Sequence, residues 1–442
     1  MLVCKFGGTS VANSGAIRQV YSIMSSKEKP VFVVVSAFAE VTNQLQKIVD
    51  CLVYKEHDKI DSLFENLYER HYSTAEELGV ANQMSNKIER KFEELKLFLN
   101  ALKILGEVTP RSVDFILSIG ELLSSAIIFQ YFIERDLSIC YVDPRQIIIT
   151  DSNFTRADVN FELSKDRLSK FISENRNYDY YITGGFVGSN IEGHTTTLGR
   201  GGSDYSASII ASLLNAKKLE IWTDVDGIMT TDPNVVPNAK LLDEVSYEEA
   251  SEMAIFGAKV LHPKTIFPAV AKKIPVVVRN TFNPNCNGTL ITYKSPTRKV
   301  KAITFKRNVT VLNIISSEML GVYGFLARVF DVFKRFQTEV DLVSTSEVSI
   351  SLTIDDRKNL AKIIKSLKEF SQVEVLEQNA VVCIIGEGLK YSSTTPFKIF
   401  KALEGIKVLM VSMGASDINL SIVVKEKNLE KVIALLHKEF FY

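Results

Sequence analysis

The first segment that could do chemistry is KFGGTS at residues 5–10, which directly follows a short apolar run. Glycines after a strand let the backbone approach phosphate oxygens closely, and the N–H groups of such a turn form a cradle for an anion. Lys5 would add a mobile positive charge. The spacing fits neither a Walker A loop nor a GxGxxG fingerprint, so an ordinary strand-to-helix turn with a surface lysine stays open as an alternative.

A second glycine-rich block, TTTLGRGGSD at residues 195–204, precedes a predicted helix over residues 204–215. The amino terminus of a helix attracts anions, and Arg200 could bind a carboxylate or phosphate through two hydrogen bonds. Ser203 or Asp204 is expected to be the N-cap residue of this helix. The block therefore predicts an anion-binding site.

Polar side chains also follow other predicted strands. IWTDVDGIMTTDP at residues 221–233 could bind an adenine and ribose or a magnesium ion, and a simple polar turn is an equal alternative. FGAKVLHP at residues 256–263 carries Lys259 between a helix end and a helix that starts with proline. Ser36 and Thr42 follow the second predicted strand.

Gly120 and Glu121 lie within a stretch predicted to be helical. A glycine inside a helix is costly, so a functional reason for this pair is expected, although a lone glutamate is more often a solvated charge. The five histidines never approach HExxH spacing and GxSxG does not occur, which argues against zinc and serine hydrolases. Two lysines, one arginine and two glycine-rich loops remain. They suit the binding of a nucleoside triphosphate against an anionic acceptor.

The elements that must position these residues alternate between strand and helix. Strands are predicted at residues 2–6, 31–37, 139–142, 180–183, 219–223 and 275–279. Helices are predicted near residues 43–54, 112–135, 204–215, 247–256 and 263–272. This order favours a mostly parallel sheet with helices on both faces. Residues 57–106 contain no strand-like run and predict a helical insertion.

The pattern changes near residue 295, where longer strands and shorter helices begin after a basic linker. A weak repeat with a spacing of about 70 residues then relates residues 346–352 to 416–422, and residues 358–364 to 427–433. Two copies of one strand, helix, strand, strand, helix unit are predicted, which fits a split βαβ layout. Residues 298–442 carry 21 basic and 16 acidic side chains, whereas residues 1–297 carry 31 and 36, so the two parts differ in charge.

The composition excludes several classes of protein. The chain has 442 residues, 52 basic and 52 acidic side chains, and five dispersed cysteines. Zero net charge argues against a broad basic surface for nucleic acid or an anionic membrane. The cysteines offer neither a disulfide framework nor a CxxC metal knuckle. Neither a secretory signal nor a run approaching about 18 apolar residues is evident, so a soluble cytoplasmic protein is expected.

Seven motifs occur in the order seen in aspartokinases, and the sequence resembles that family over essentially its whole length. They are KFGGTS at 5–10, Ser36 with Thr42, Gly120 with Glu121, TTTLGRGGSD at 195–204, WTD at 222–224, TTDP at 230–233 and FGAKVLHP at 256–263. The resemblance implies an α/β amino-acid-kinase fold, with a mostly parallel sheet between helices, over residues 1–295, including a helical insertion at about 57–106. It also implies two α+β ferredoxin-like ACT domains at residues 302–378 and 379–442.

The resemblance implies a reaction in which ATP phosphorylates the side-chain carboxylate of L-aspartate. The products are 4-phospho-L-aspartate and ADP, and the reaction starts lysine, threonine and methionine synthesis. By resemblance, Lys5 and Asp204 are catalytic, and Ser36, Thr42, Glu121, Arg200 and Ser203 bind the substrate. The implied nucleotide contacts are Lys5, Gly7, Gly8, Ser10, Thr223, Asp224, Met229, Asn234 and Lys259. Mg²⁺ is expected to be held mainly through the ATP phosphates, without a protein ligand. Met229 and Asn234 stand where relatives often carry Tyr and Arg.

The resemblance extends to the effector pocket of lysine-inhibited relatives. Its residues here are Met319, Gly324, Phe325, Leu326, Val340, Asp341, Ser346 and Glu347. The carboxylates of Asp341 and Glu347 could receive a diamino acid, which predicts feedback inhibition by lysine. Phe325 and Leu326 are also expected to start a core-packing helix. A homo-oligomer, either a dimer or a tetramer, is expected to form through the ACT domains.

Two other functions stay open at this point. Another amino-acid kinase of the same fold would act on glutamate, acetylglutamate, carbamate or a nucleotide, and a panel of substrates would identify it. A non-catalytic amino-acid sensor would combine ACT domains with an inactive kinase. The presence of Lys5, Arg200 and Asp204 argues against the sensor.

Overall fold

The computed structural model describes residues 1–257, 261–294, 300–316, 319 and 323–442. The chain divides into two compact units, Met1–Ile228 with Val260–Tyr293, and Met229–Lys259 with Lys294–Tyr442. The strands are β1 (Leu2–Phe6), β2 (Val31–Val35), β3 (Ile139–Tyr141), β4 (Ile149–Thr150), β5 (Tyr180–Gly184), β6 (Val187–Asn190), β7 (Thr195–Thr197), β8 (Lys218–Thr223), β9 (Glu244–Ser246), β10 (Val276–Asn280), β11 (Thr289–Thr292), β12 (Val300–Ile315), β13 (Val343–Thr345), β14 (Ser349–Ile354), β15 (Gln372–Gly386), β16 (Val408–Met413) and β17 (Asn419–Lys425). The helices are α1 (Ser14–Ser25), α2 (Val41–Val53), α3 (Ile60–Glu77), α4 (Ala81–Leu105), α5 (Pro110–Ile133), α6 (Pro144–Ile147), α7 (Phe161–Glu174), α8 (Gly202–Leu213), α9 (Tyr247–Ile255), α10 (Pro263–Ala271), α11 (Phe325–Arg335), α12 (Leu360–Leu367), α13 (Thr394–Ala402) and α14 (Leu429–Phe441).

The first unit is built on a sheet with the strand order β3-β5-β2-β1-β8-β10-β11. Neighbouring strands are parallel from β3 to β10, and β11 runs antiparallel to β10. The central strands β1, β2 and β5 are buried along nearly their whole lengths, as expected of a parallel sheet covered on both faces. The predicted mostly parallel sheet is confirmed. Its strands carry Lys5, Val35 and Gly184 to the same carboxyl edge.

Helix α5 is a buried, apolar helix of 24 residues. By length and composition it could cross a membrane, but 83% of its apolar window is buried inside the protein. The expectation concerned continuous apolar runs, and α5 contains none of about 18 residues, because serines, Gly120 and Glu121 interrupt its apolar residues. Because it is buried inside the protein, α5 is a core helix.

Helices α3 and α4 occupy most of the segment predicted as a helical insertion and pack through aromatic rings. The Phe92 ring lies 5.4 Å from that of Phe64 and 5.6 Å from that of His71, between ring centroids. His71 also stacks on Phe38 at 5.2 Å. Burial lowers the pKa of His71 to about 4, so its ring is neutral and acts as a core side chain.

The second unit contains an antiparallel sheet with the order β13-β14-β12-β15-β17-β16. In chain order, β12, α11, β13, β14 and α12 form one repeat, and β15, α13, β16, β17 and α14 form the other. Each repeat has the predicted order of strand, helix, strand, strand and helix. The predicted pair of α+β units is therefore confirmed.

The long strands β12 and β15 pair with each other along nearly their whole lengths. Ile303, near the start of β12, packs in the core of the second repeat, whereas Leu312, near its end, packs in the core of the first. The two repeats therefore interlock through their central strands. The domain boundary predicted between residues 378 and 379 falls inside β15. The division into ACT domains at residues 302–378 and 379–442 therefore stays a prediction.

Residues 229–257 pack with the second unit, although they precede the predicted boundary at residue 295. Val235 packs against the core of the second repeat, and Thr230 Oγ1 lies 2.9 Å from His437 Nε2 in α14. The compact units therefore do not divide at residue 295, because this segment buries its apolar and polar side chains against the carboxyl-terminal repeat.

Candidate functional site

A cavity of about 760 Å³ opens at the carboxyl edge of the parallel sheet in the first unit. Among its lining residues are Lys5, Gly8, Ser36, Thr42, Glu121, Arg200, Ser203 and Asp204, all of them predicted from the sequence. Thr197, from the predicted block at residues 195–204, also lines it, as do Thr155 and Phe186, which were not predicted. The fold thus brings the predicted phosphate-binding lysine and the predicted carboxylate-binding arginine to one cavity.

Lys5 and Asp204 form an ion pair in the wall of this cavity. Lys5 Nζ lies 2.6 Å from Asp204 Oδ1, and the two side chains are only 11% and 16% exposed. Lys5 comes from β1 and Asp204 from the first turn of α8. A lysine ammonium has three N–H donors, so this contact leaves donors for an incoming anion.

Helix α8 begins one residue after Gly201, which is its N-cap residue. Gly201 has a φ of +70°, in the left-handed region that favours glycine, and an added Cβ would lie 2.8 Å from Thr265 Cγ2. The expectation that Ser203 or Asp204 caps the helix is wrong, because both lie inside its first turn. The N–H groups of that turn lack carbonyl partners within the helix, and they belong to the wall of the cavity.

Arg200 and Ser36 present polar groups to the cavity in different ways. Arg200 is exposed and has no ion-pair partner within the ranges that the structure describes. The backbone of Ser36 is fixed on both sides, since its N–H donates to the carbonyl of Phe6 at 3.1 Å and its carbonyl accepts from Ser124 Oγ at 2.8 Å. The Arg200 guanidinium is therefore free to bind an anion, and the backbone of Ser36 is held in place beside the cavity.

The glycine loop after β1 is anchored to β8. The N–H of Gly7 donates to the carbonyl of Trp222 at 3.0 Å, and the Ser10 hydroxyl donates to the same carbonyl at 3.2 Å. Ser10 also accepts a hydrogen bond from Thr281 Oγ1 at 2.7 Å. Ser10 is fully buried and does not line the cavity, so its observed contacts fix the loop. Its predicted contact with a nucleotide stays a prediction.

Gly120 and Glu121 lie in α5 and have separate explanations. An added Cβ at Gly120 would lie 2.9 Å from Ala37 Cβ and 3.0 Å from Val41 Cγ1, so close packing of α5 on α2 requires a glycine. Glu121 is only 3% exposed, and its Oε2 has no hydrogen-bond partner in the described part of the chain. Glu121 is therefore a buried group of the cavity wall, and the alternative of a solvated charge is wrong.

The protonation of Glu121 is set mainly by this burial. Burial raises the pKa of Glu121 to about 8, although the backbone N–H of Ala37 opposes the shift. A neutral carboxyl group is favoured where water is excluded and no cation is nearby. An ammonium group bound in the cavity would favour the ionised form.

Asp114 supports the walls of the cavity, a role that was not predicted from the sequence. This fully buried carboxylate accepts the N–H of Thr155 at 2.9 Å, and the N–H and hydroxyl of Thr197 at 3.0 and 2.5 Å. Burial raises the pKa of Asp114 even though these hydrogen bonds oppose the shift. Thr155 and Thr197 both line the cavity, so Asp114 holds two of its walls together. An acidic residue within an otherwise apolar helix was the one available signal.

The predicted nucleotide residues beyond the loop are not among those that line the cavity. Thr223 ends β8 and donates its hydroxyl to Asp224 Oδ1 at 3.1 Å. Met229 and Asn234 belong to the second unit, where Met229 bridges to Leu241. Lys259 lies outside the described residues. The nucleotide roles of Thr223, Asp224, Met229, Asn234 and Lys259 stay predictions.

Comparison with known proteins identifies the family. The amino acid kinase family profile matches residues 1–280, and the ACT domain profile matches residues 312–369 and 382–440. The lysine-sensitive aspartokinase 3 of Escherichia coli K12 is 37% identical, over 100% of this chain and 99% of that protein. The chain belongs to the aspartokinase family.

Other members of the aspartokinase family support the assignment. The chloroplastic aspartokinase 3 of Arabidopsis thaliana is 38% identical, over 99% of this chain and 81% of that protein. Two crystal structures of E. coli aspartokinase III cover 100% of both chains at 36% identity. The complex with lysine and aspartate matches with a TM-score of 0.87, and the complex with aspartate and ADP with 0.83. The aspartate kinase activity inferred from the motifs is thereby confirmed, and the enzyme is an ATP-dependent kinase that acts on a carboxyl group.

The apolar residues predicted for the effector pocket of this aspartokinase lie around the start of α11. Gly324 is the N-cap residue of α11, with a φ of +86°. Phe325 packs in the core of the first repeat, together with the partly buried Met319 and Val340. Leu326 is 45% exposed. The expectation that Phe325 and Leu326 start a core-packing helix is confirmed, since α11 begins at Phe325 and packs in the core of the first repeat. The Leu326 side chain itself is partly exposed, because consecutive residues of a helix point in different directions.

The polar residues predicted for the effector differ in what they contact. The Ser346 hydroxyl lies 2.7 Å from the Ser349 hydroxyl, and Glu347 is exposed. Both carboxylate oxygens of Asp341 accept from Lys306 Nζ at 3.0 Å. Asp341 is therefore already paired within the chain. No local pattern of residues indicates this contact, because Lys306 lies in β12, 35 residues before Asp341.

Proposed function

We propose that the enzyme transfers the γ-phosphoryl group of ATP to the side-chain carboxylate of L-aspartate in the cavity around Lys5 and Asp204. The observation that carries this proposal is the single cavity lined by Lys5, the first turn of α8, Arg200 and the buried Glu121. In the cell, the 4-phospho-L-aspartate produced enters the diaminopimelate pathway to lysine and the routes to threonine and methionine.

The reaction needs positive charge more than it needs a base. The aspartate side chain has a pKa near 4 and is ionised at neutral pH, so the nucleophile requires no deprotonation. The barrier comes from bringing this anion in line with another anion, the γ-phosphoryl group. Lys5 and the N–H groups at the start of α8 neutralise the charge on the transferring group, since fixed donors need no reorganisation during the reaction.

Asp204 positions Lys5 for this task. Its carboxylate forms an ion pair with the Lys5 ammonium at 2.6 Å, and an ammonium that contacts one carboxylate oxygen keeps two N–H donors for other acceptors. These two donors bind oxygens of the transferring phosphoryl group. Asp204 thus contributes to catalysis through the orientation of Lys5.

The charged and polar groups of the cavity match the ends of the substrate. Arg200 pairs with a carboxylate of aspartate through two parallel hydrogen bonds, and Glu121 in its ionised form accepts from the substrate ammonium. Ser36, Thr42 and Ser203 supply hydroxyl groups around the same cavity. Glutamate, one methylene longer, would displace its reacting carboxylate from Lys5.

The loop of Gly7 and Gly8 fits a phosphate group. An added Cβ at Gly7 would lie 3.3 Å from Lys5 Nζ, and one at Gly8 would lie 3.3 Å from the carbonyl oxygen of Ala37. Side chains here would fill the space that phosphate oxygens need beside the lysine. Mg²⁺, a hard cation that prefers phosphate and water oxygens, is held mainly by ATP and neutralises phosphate charge there. Ser10, Thr223, Asp224, Met229, Asn234 and Lys259 complete the proposed nucleotide side.

We further propose that L-lysine inhibits the enzyme through the second unit. The support is the lysine-sensitive E. coli relative, one of whose structures is a complex with lysine. The proposed pocket comprises Met319, Gly324, Phe325, Leu326, Val340, Asp341, Ser346 and Glu347. Assembly into a homodimer or tetramer through the ACT repeats, and a cytoplasmic location, belong to the same proposal.

An ADP-release assay tests the reaction and its regulation together. L-aspartate is compared with L-glutamate and N-acetylglutamate, and the aspartate reaction is repeated with lysine, with threonine and with both. We expect ADP release with aspartate alone and its suppression by lysine. Equal turnover of glutamate would refute the substrate assignment, and full activity in millimolar lysine would refute the proposed inhibition.

A further inference from the structure

One lysine of the second unit is shared between two aspartates. Lys306 Nζ lies 3.0 Å from each carboxylate oxygen of Asp341 and 2.5 Å from Asp355 Oδ2. The side chains are partly buried, with 23% of Lys306, 13% of Asp341 and 40% of Asp355 exposed. Because an ammonium has three donors, Lys306 has no donor left for another acceptor.

This cluster carries more negative than positive charge. Glu339 also raises the pKa of Asp341 by repulsion, after the larger effect of burial, so three carboxylates act around one ammonium. Burial lowers the pKa of Lys306, but the hydrogen bonds to Asp355 and Asp341 together outweigh it, so the pKa is raised. Lys306 is thus a fixed cation among carboxylates that could also bind a second cation.

The cluster includes a carboxylate that the effector would need. Asp341 is one of two acidic residues in the proposed lysine pocket, and both of its oxygens already accept from Lys306. An effector ammonium that binds Asp341 must share or displace this internal ammonium. Asp355 offers Lys306 a second carboxylate, so Lys306 can release Asp341 and keep a partner.

We propose that Lys306 is a built-in competitor of the effector, and that Asp355 sets how readily Lys306 releases Asp341. The pair thereby determines the lysine concentration at which inhibition occurs. This inference rests on the proposed inhibition by lysine. Neither Lys306 nor Asp355 belongs to the proposed lysine pocket, and the inference gives both of them a regulatory role.

Two substitutions shift the response in opposite directions. In Lys306→Met the competitor is removed, and we expect the half-inhibitory lysine concentration to fall by about fivefold. In Asp355→Asn, Lys306 keeps only Asp341, and we expect that concentration to rise by about fivefold. Both are measured by ADP release relative to each variant's own uninhibited rate, at pH 8, well above the usual pKa of an aspartate.

Matched variants separate competition from a general change of charge. Glu339→Gln removes the same charge near Asp341 as Asp355→Asn, without a hydrogen bond to Lys306, and we expect at most a twofold rise. In a Lys306→Met background, Asp355→Asn should shift the response no more than Glu339→Gln does. Lys390→Met, which removes another lysine with an aspartate partner in this unit, serves as the control for Lys306→Met.

The outcomes distinguish this inference from the function on which it rests. If the unmodified enzyme ignores lysine, the proposed inhibition fails and the inference fails with it. If lysine inhibits, but Asp355→Asn and Glu339→Gln shift the response equally, only the competitor role is overturned. That comparison needs no change at Lys306, so it decides the question even where Lys306→Met does not fold.

Discussion

The two compact units each contain a partly buried lysine paired with aspartate, and the two lysines differ in how many donors they have left. Lys5 contacts one carboxylate oxygen, on Asp204, and lines an open cavity. Lys306 contacts three carboxylate oxygens, on Asp341 and Asp355. The same pair of residue types is thus available to an incoming anion in one unit and occupied in the other. Unused donors, more than burial or charge, therefore distinguish Lys5 as the lysine suited to phosphoryl transfer.

Removing the lysine with unused donors should have the largest effect. We expect Lys5→Ala to lower kcat by about a thousandfold, the usual size for loss of a donor to the transition state. Binding of aspartate, measured by calorimetry, should be retained because Arg200 and Glu121 remain. Lys217→Ala is the matched control, since Lys217 is 76% exposed and lies 3.8 Å from Glu28. If Lys5→Ala had a normal kcat, Lys5 would have no role in phosphoryl transfer, and the contrast between Lys5 and Lys306 would have no functional meaning.

The cavity beside Lys5 should depend on Asp114, which accepts hydrogen bonds from Thr155 and Thr197 in two of its walls. Asp114→Ala leaves the N–H groups of Thr155 and Thr197 without their acceptor, and we expect a loss of about 3 kcal/mol in the free energy of unfolding of the first unit. Urea denaturation followed by the lone tryptophan, Trp222, measures this loss, because Trp222 lies in that unit. Asp166→Ala, an exposed aspartate on α7, should change it by less than about 0.5 kcal/mol. If Asp114→Ala and Asp166→Ala changed the free energy of unfolding equally, Asp114 would not support the cavity walls.

Glu121 should make substrate binding depend on pH, a sensitivity that the fully paired Lys306 cluster would not share. With a pKa of about 8, Glu121 is mostly protonated at pH 7 and becomes ionised as the pH rises through 8. Only the ionised form attracts the aspartate ammonium strongly. We expect the KM for aspartate to fall about tenfold between pH 7 and 8.5.

Glu121→Gln provides the control for this pH dependence. The variant should have a high KM that hardly changes over the same range, because glutamine does not titrate. Stability should respond in the opposite sense in the unmodified enzyme. A carboxyl group whose pKa is raised on folding stabilises the fold at low pH, and this contribution is lost as the pH rises from about 4.5 to about 8. An identical KM profile in both proteins would remove Glu121 from the site.

Local patterns predicted much of the fold and of the site. The strand-like run at residues 2–6 became β1 with the predicted ends, because its apolar residues are buried on both faces of a parallel sheet. The two strand, helix, strand, strand, helix repeats were also predicted, since their spacing repeats. Glycines next to Lys5 and Arg200 indicated the cavity correctly.

The remainder depended on contacts between distant residues. No local pattern shows that Asp114 binds Thr197, 83 residues away. Nor does a local pattern show that the paired strands β12 and β15 each run through both repeats. The start of α8 was misjudged because Gly201, in a left-handed conformation, takes the cap position that serines and aspartates usually occupy. These features arise from packing, which a pattern of residue types does not specify.

The smallest expected effect concerns the apolar side of the proposed lysine pocket. Leu326 is 45% exposed, whereas its neighbour Phe325 lies in the core. Leu326→Ala should therefore leave the free energy of unfolding within about 0.5 kcal/mol. Loss of a partial apolar contact with the methylene chain of lysine should raise the half-inhibitory concentration about threefold. Leu97→Ala, at a leucine of the first unit that is 72% exposed, is the matched control and should leave inhibition unchanged. If Leu326→Ala and Leu97→Ala respond to lysine alike, the pocket does not include Leu326, and recognition would depend on Asp341 and its competition with Lys306 alone.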